Sequence, residues 1–204
     1  IRNPIAAAKS LVQQIVEDPA GKDAPEYARV ALAELDRIEA SIAHLLRFAR
    51  EEPLHLAEVE LHDLVSKVLE AAGPKLVGVR VEREEARVAL RADDEKLRRA
   101  VLNLVQNACD AMRDSPDARR VLQVEYGRSL DGRTAWIRVR DEGPGMSPEV
   151  RARAFDAWVT GKATGTGLGL PIARKLCEAH GGSLEIERSD ASGTSMLVTL
   201  PRGL

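Results

Sequence analysis

The sequence predicts an α+β protein: a helical hairpin, then a sheet with helices on one of its faces. Three observations carry that expectation. Up to about Arg50 the apolar residues recur at helical spacing with one break. Beyond Glu51-Glu52-Pro53, runs that alternate apolar and polar stand among further helical runs. These helices and strands do not alternate strictly, as parallel βαβ units would require. The expected division is residues 1–52 for the hairpin and 53–204 for the mixed domain.

The break in the hairpin region is Glu17-Asp18-Pro19-Ala20-Gly21-Lys22, where Pro and Gly separate one helix from the next. Asp23-Ala24-Pro25-Glu26 reads as a capping box that starts the second. Its apolar residues Ala28, Ala31, Leu35, Ile38, Ile42, Leu45 and Ala49 alternate spacings of three and four, the seam of a coiled coil. Two helices alone cannot bury such seams on both sides. The expectation is therefore a homodimer through a four-helix bundle.

In the mixed domain, Leu61 to Ala72 reads as a helix stopped by Gly73-Pro74. Asp93 to Met112 is a long amphipathic helix with Asp93 at its N-cap. Leu122 to Tyr126 and Thr134 to Asp141 alternate like half-buried strands. Ser147 followed by Pro148 opens a short helix, and Leu168 to His180 is a longer one closed by Gly181-Gly182. Ser183 to Arg188 and Thr194 to Leu200 form a last hairpin, with its turn at Asp190 to Gly193.

Composition excludes several function classes. The chain is 44% hydrophobic, enough for an ordinary core, but only 3% aromatic, which argues against base-stacking nucleic-acid binders. Thirty basic residues against thirty-two acidic ones leave a net charge of −2, with no basic field for nucleic acid or anionic lipid. Cys109 and Cys177 sit in apolar helical contexts without any CxxC pair, so neither a disulfide scaffold nor a zinc site is expected. A reducing compartment, the cytoplasm, suits them. No stretch approaches the roughly eighteen apolar residues of a membrane span, and no direct membrane contact is expected. Ile1-Arg2-Asn3-Pro4, without Met or signal peptide, reads as the interior of a longer protein.

The chemistry concentrates in three places. On the helix from Asp93, Leu97, Val101, Leu104 and Ala108 make an apolar stripe, and Asn103, Asn107 and Asp110 a separate polar one. Asparagine is a poor mid-helix residue. The stripe is either a solvated face or a pair of neutral amide oxygens for Mg²⁺. Alternation then turns Asp141 inward with Ile137 and Val139, where a carboxylate needs dedicated donors such as an adenine amino group. Gly143 and Gly145 would admit a flat ring, although Asp141-Glu142-Gly143 also reads as a strand-ending turn. Lastly, Gly165-Thr166-Gly167-Leu168-Gly169-Leu170 runs into a helix, whose first N–H groups and dipole favour an anion. It matches neither the P-loop nor the Rossmann spacing, and alone it is equally a flexible loop. Lys162 could bring a point charge to a terminal phosphate, and the glycine-studded stretch from Glu142 to Thr166 has the texture of a lid.

Together these motifs resemble the histidine kinase branch of the GHKL ATPases. Asn103-Leu-Val-Gln-Asn107-Ala108 is similar to the N box and Asp141-Glu-Gly143-Pro-Gly145 to the G1 box. Phe155-Asp-Ala-Trp158-Val-Thr160-Gly-Lys162 is similar to the F box, with Ala157 for its usual Pro and Trp158 for the commoner Phe. Gly165 to Leu170 resembles the G2 box, Gly193-Thr194 the last glycine motif, and Ile1-Arg2-Asn3-Pro4 the tail of the H box. The resemblance spans essentially the whole chain.

It implies a truncated phosphotransfer hairpin and a sandwich of the GHKL ATP-binding type. The activity implied is that of an ATP-dependent protein histidine kinase. Such a kinase binds Mg-ATP, phosphorylates a hairpin His and passes the phosphoryl group to an aspartate of a response-regulator receiver. Asn107 would ligate Mg²⁺, Asn103 would lie near the phosphates, and Asp141 would take the adenine amine. Gly143, Gly145, Gly165, Gly167 and Gly169 would shape pocket and lid, and Thr160, Lys162, Thr166, Leu168 and Thr194 would border the nucleotide. Asn3 matches the position that orients water when the regulator is dephosphorylated, while the phosphoacceptor His and its Glu would precede Ile1. The rivals are a dimeric nucleotide-sensing scaffold without phosphoacceptor and an anti-sigma serine/threonine kinase. The latter lacks a helical hairpin. The remaining histidines His44, His55, His62 and His180 are expected in structural or solvent roles, His180 closing a helix.

Overall fold

The computed structural model describes residues 2–49, 53–83, 86–160 and 167–203. The chain divides into two compact units, Ile1–Glu52 and Pro53–Leu204.

In the first unit, α1 (Arg2–Glu17) and α2 (Ala24–Ala49) pack side by side, with Ala8 and Ala31 buried where they meet. The turn between them closes on its own backbone, Asp18 N donating to Gln14 O at 3.0 Å and Gly21 N to Asp18 O at 3.2 Å. Glu26, expected to reach back in a capping box, instead accepts from Arg29 Nε and Nη2 at 3.0 and 2.6 Å. A full charge one turn ahead competes with a neutral N–H for that carboxylate. Ile5, Val12, Val16, Val30, Leu32 and the seam residue Leu35 remain exposed. The side chains of Ile38, Ile42, Leu45 and Ala49 lie outside the described residues.

The second unit is α+β and holds a five-stranded mixed sheet of order β2-β4-β5-β7-β6. Its strands are β2 (Arg80–Arg83), β4 (Val121–Arg128), β5 (Thr134–Asp141), β6 (Ser183–Asp190) and β7 (Gly193–Pro201). β2 runs parallel to β4, and the other neighbours are antiparallel. A separate ribbon pairs β1 (Ala57–Glu60) with β3 (Ala89–Ala92). The expectation of one sheet is thus corrected to two. β1, β2 and β3 have four residues each, too few to establish a period, and β2 is an exposed Arg-Val-Glu-Arg edge.

The helices α3 (Leu61–Ala71), α4 (Asp94–Met112) and α6 (Gly169–Ala179) cover the sheet, and α5 is the short Pro148–Ala152. Leu122, Val124, Tyr126, Ile137, Val139, Val198 and Leu200 meet Leu97, Val101, Leu104 and Ala108 of α4 and Ala173 and Cys177 of α6 in one core. Along β5 every second residue is buried, so the inward face is apolar up to Asp141. Asp93 caps α4, accepting from Lys96 N at 3.1 Å and from His55 N at 3.0 Å. His180 does more than close α6: it is buried, its Nδ1 bonds Leu176 O at 2.7 Å, and its Nε2 accepts from Asp93 N at 3.0 Å. That histidine joins the end of α6 to the start of α4. Among the described residues, no helix is long and apolar enough to cross a membrane.

Candidate functional site

The site grows from the packing of α4 on α6 and the end of β5. Asn103 and Asn107 lie one turn apart on α4, both half-buried. The Nδ2 of Asn103 is buried and has no hydrogen-bond partner. Asn107 faces the first residue of α6, where a Cβ on Gly169 would stand 3.2 Å from its Nδ2 and 3.5 Å from its Oδ1. Glycine at this position therefore brings the start of α6, the positive end of its dipole, directly onto the amide.

At the end of β5 the sheet delivers Asp141, 5% exposed despite its charge. Its Oδ1 accepts from Gly143 N at 2.9 Å, so the residue forms the strand-ending turn and is also an inward carboxylate. Gly143 sits between this carboxylate and α4: a Cβ there would meet Asp141 Oδ1 at 2.8 Å and Ala111 Cβ at 3.2 Å. Gly145 has φ +76°, and a side chain would collide with the carbonyl of Asp190. Gly167 has φ +67° and rests on the backbone of Trp158, whose N–H donates to Gly167 O at 3.0 Å. Trp158 itself has φ +72°, uncommon for a residue with a Cβ.

Thr194 pairs with Asp141 in the β5–β7 register and is buried. Its hydroxyl lies 3.1 Å from Ser189 Oγ, which in turn accepts from Met146 N at 2.8 Å. Leu168 is buried as the residue before α6, and Thr160 is exposed at the edge of the described segment. The structure thus brings Asn103, Asn107, Asp141, Gly143, Gly145, Gly167, Leu168, Gly169 and Thr194 onto the elements around one end of α4. Lys162, Gly165 and Thr166 lie outside the described residues, as does the side chain of Asn3, whose backbone is in α1 of the other unit.

Two supporting residues lie outside the motifs of the sequence. Arg119 Nη2 donates to Gly143 O at 3.2 Å and to Ala191 O at 2.7 Å, tying the loop after β5 to the β6–β7 turn. Nothing in its neighbourhood marks it. Ser189 is hidden too, because alternation from Leu184 and Ile186 would turn it outward and only a bulge between Ile186 and Arg188 turns it in.

Comparison with known proteins decides the family. Residues 92–204 match the model of the histidine kinase-, DNA gyrase B- and HSP90-like ATPases. The chain belongs to this family. Among curated members, it is 31% identical to the sensor histidine kinase ZraS of Salmonella typhimurium, over 98% of this chain and 43% of that protein. It is 28% identical to the sensory histidine kinase/phosphatase NtrB of Rhizobium leguminosarum bv. phaseoli, over 98% of this chain and 55% of the other. Full-length ShkA in complex with AMPPNP superposes with a TM-score of 0.71 at 25% identity, covering 89% of this chain and 39% of that one. The chain spans less than half the length of the ZraS it matches.

Proposed function

We propose that this chain is the catalytic core of a cytoplasmic sensor histidine kinase. Residues 53–204 bind ATP, and residues 1–52 form the dimerising, phosphotransfer hairpin. The observation that carries this reading is the meeting of Asn107 with the glycine that opens α6. It sets a neutral oxygen ligand beside a helix N-terminus, the pairing that a metal-bound polyphosphate requires.

The residues present fit that ligand. Asn103 Nδ2 is a buried donor awaiting an acceptor, and Asn107 offers a hard, uncharged oxygen of the kind Mg²⁺ takes. Asn107 would hold the metal, which supplies charge neutralisation on the phosphoryl group in transfer. Asp141 accepts the adenine amine, with Gly143 keeping a side chain off its Oδ1 and Gly145 letting the loop pass against Asp190. Gly167, Leu168 and Gly169 present the backbone N–H groups of α6, and Thr194 braces Asp141 from the next strand. Thr160, Lys162, Gly165 and Thr166 complete the phosphate side. These residues position and stabilise charge, and the nucleophile is a hairpin imidazole that would precede Ile1.

The exposed apolar residues of α1 and α2 support a homodimer through a four-helix bundle. The acceptor of the phosphoryl group is an aspartate of a response-regulator receiver, and Asn3 orients water for the reverse, dephosphorylating reaction. A chain carrying His-Glu ahead of Ile1, given γ-labelled ATP and Mg²⁺, is expected to take up acid-labile, base-stable label. Nucleotide binding without label would leave a sensing scaffold in place of the kinase. Failure to bind nucleotide would overturn the assignment of Asn107 and Asp141.

A further inference from the structure

Among the described residues, three buried side-chain nitrogens lack a hydrogen-bond partner: Asn103 Nδ2, Arg140 Nε and Arg188 Nη2. The first belongs to the site above. The other two line a single depression of about 460 Å³, together with Glu125, Arg138, Glu187 and Ser195. It lies on the outer face of the sheet, where Arg138 and Arg140 alternate with the buried Ile137, Val139 and Asp141 of β5, and the irregularity between Ile186 and Arg188 lets both Glu187 and Arg188 line it.

The strand registers align Arg140, Ser195 and Arg188 in one row across β5, β7 and β6. Their chain neighbours Asp141, Thr194 and Ser189 form the matching row on the inner face. The depression therefore backs directly onto the floor of the nucleotide site.

A solvated ladder of ion pairs explains only half of this surface. Arg138 gives Nε and Nη2 to Glu187 at 2.8 Å each and Nη1 to Glu125 at 3.0 Å. Ser195 Oγ also donates to Glu187, at 2.8 Å. Both lining carboxylates are thus engaged. Asp190 stands 3.6 Å from Arg188 Nε and leaves Nη2 without an acceptor. Two guanidinium groups on flanking strands thus line one hollow, each with a buried N–H that has no acceptor, and such donors cost stability until an acceptor arrives.

We propose that this hollow is an oxyanion site in which Arg140 and Arg188 together hold a phosphate-type anion. Guanidinium forks match phosphate oxygens, and a tetrahedral anion presents acceptors to donors on two sides. A planar carboxylate would satisfy one fork and leave the other. The same phosphate chemistry can arrive as free orthophosphate or as a monoester on a small molecule.

The test is calorimetric titration of the full chain with orthophosphate and, separately, with glycerol 3-phosphate, at constant ionic strength against chloride. Saturable binding is expected, weakened at least tenfold in Arg140→Gln/Arg188→Gln and unchanged in Asn107→Ala. The tighter of the two ligands assigns the source. Arg140→Lys/Arg188→Lys preserves charge but removes the fork, and it too is expected to weaken binding at least severalfold. That variant keeps the test valid if the glutamine pair proves unfolded by circular dichroism. Three results would overturn the proposal: no saturable binding, equal affinity in the lysine variant, or loss of binding only in Asn107→Ala, which would put the anion in the nucleotide site.

Discussion

Gly169, the first residue of α6, lies against the side-chain amide of Asn107 on α4, so that a Cβ at 169 would stand 3.2 Å from Asn107 Nδ2. That is closer than an ordinary contact, and the amide would have to give by a few tenths of an ångström. Gly169→Ala separates fold from site, because alanine favours a helix over glycine by up to about 1 kcal/mol. The expected outcome is an unchanged or higher melting temperature with Mg-nucleotide affinity reduced about tenfold, or about 1.4 kcal/mol. Calorimetric titration and thermal unfolding on the same sample check it. Equal affinity in the variant would show that the position of this amide does not govern binding.

Arg119 makes a second, remoter claim on the same site. Its Nη2 spans two carbonyls, Gly143 O and Ala191 O, and so fixes the loop that follows Asp141. Both bonds lie at or near solvent, which limits their worth to global stability to about 1 kcal/mol. Their effect on the loop is more direct. Arg119→Met is expected to weaken nucleotide binding three- to tenfold while moving the urea midpoint little, and Arg119→Lys to recover some of the loss. A variant that loses stability and affinity in proportion would mean that Arg119 serves the fold alone.

The sequence reveals the long, regular pieces of this protein and the residues they carry. α4, β5, α6 and the β6–β7 hairpin each repeat their period often enough to be read, and Asn103, Asn107, Asp141 and Gly169 lie on them. β1, β2 and β3 are invisible because four residues are too few to establish a period. Arg119 was equally hidden, since its role comes from a fold that brings Ala191 beside Gly143, over 40 residues apart in the chain. Glu26 departs from its sequence pattern for a different reason. The pattern of a capping box says nothing about a competing Arg29 one turn on.

Asp93 should make the second unit sensitive to acid. Burial raises its carboxyl pKa, but N–H bonds from His55 and Lys96 and the Lys96 charge outweigh burial and hold it below the usual carboxylate range. A depressed folded value contributes stability above the unfolded pKa of about 3.9, and that stability is lost as pH falls through the folded value. Asp93→Asn still caps α4 but cannot ionise. It is expected to lower stability at pH 7 by about 1 kcal/mol and to have less effect near pH 3, whereas Asp93→Ala costs about 1–2 kcal/mol at pH 7. Urea unfolding at the two pH values measures the difference. A gap between wild type and Asp93→Asn that does not shrink in acid would remove the carboxylate from the account.

The two thiols offer a probe of which helix opens first. Burial pushes the Cys177 thiol on α6 up to about 12, and burial together with the Asp110 charge raises Cys109 on α4. At pH 8 a thiol of pKa 12 is ionised to only about one part in ten thousand, and the thiolate is the reactive form. Both should react slowly with an aromatic disulfide reagent in the native protein and rapidly in urea. Cys109 should lead, because it borders a solvent-open hollow of about 290 Å³ with Lys75, Asp110 and Arg113, while Cys177 is sealed in the core. The Cys109→Ala and Cys177→Ala variants assign the two phases. If Cys177 reacts first, α6 must detach from the sheet more readily than α4 exposes its flank. The start of α6 would then be the weak side of the nucleotide site, and Gly169 its hinge.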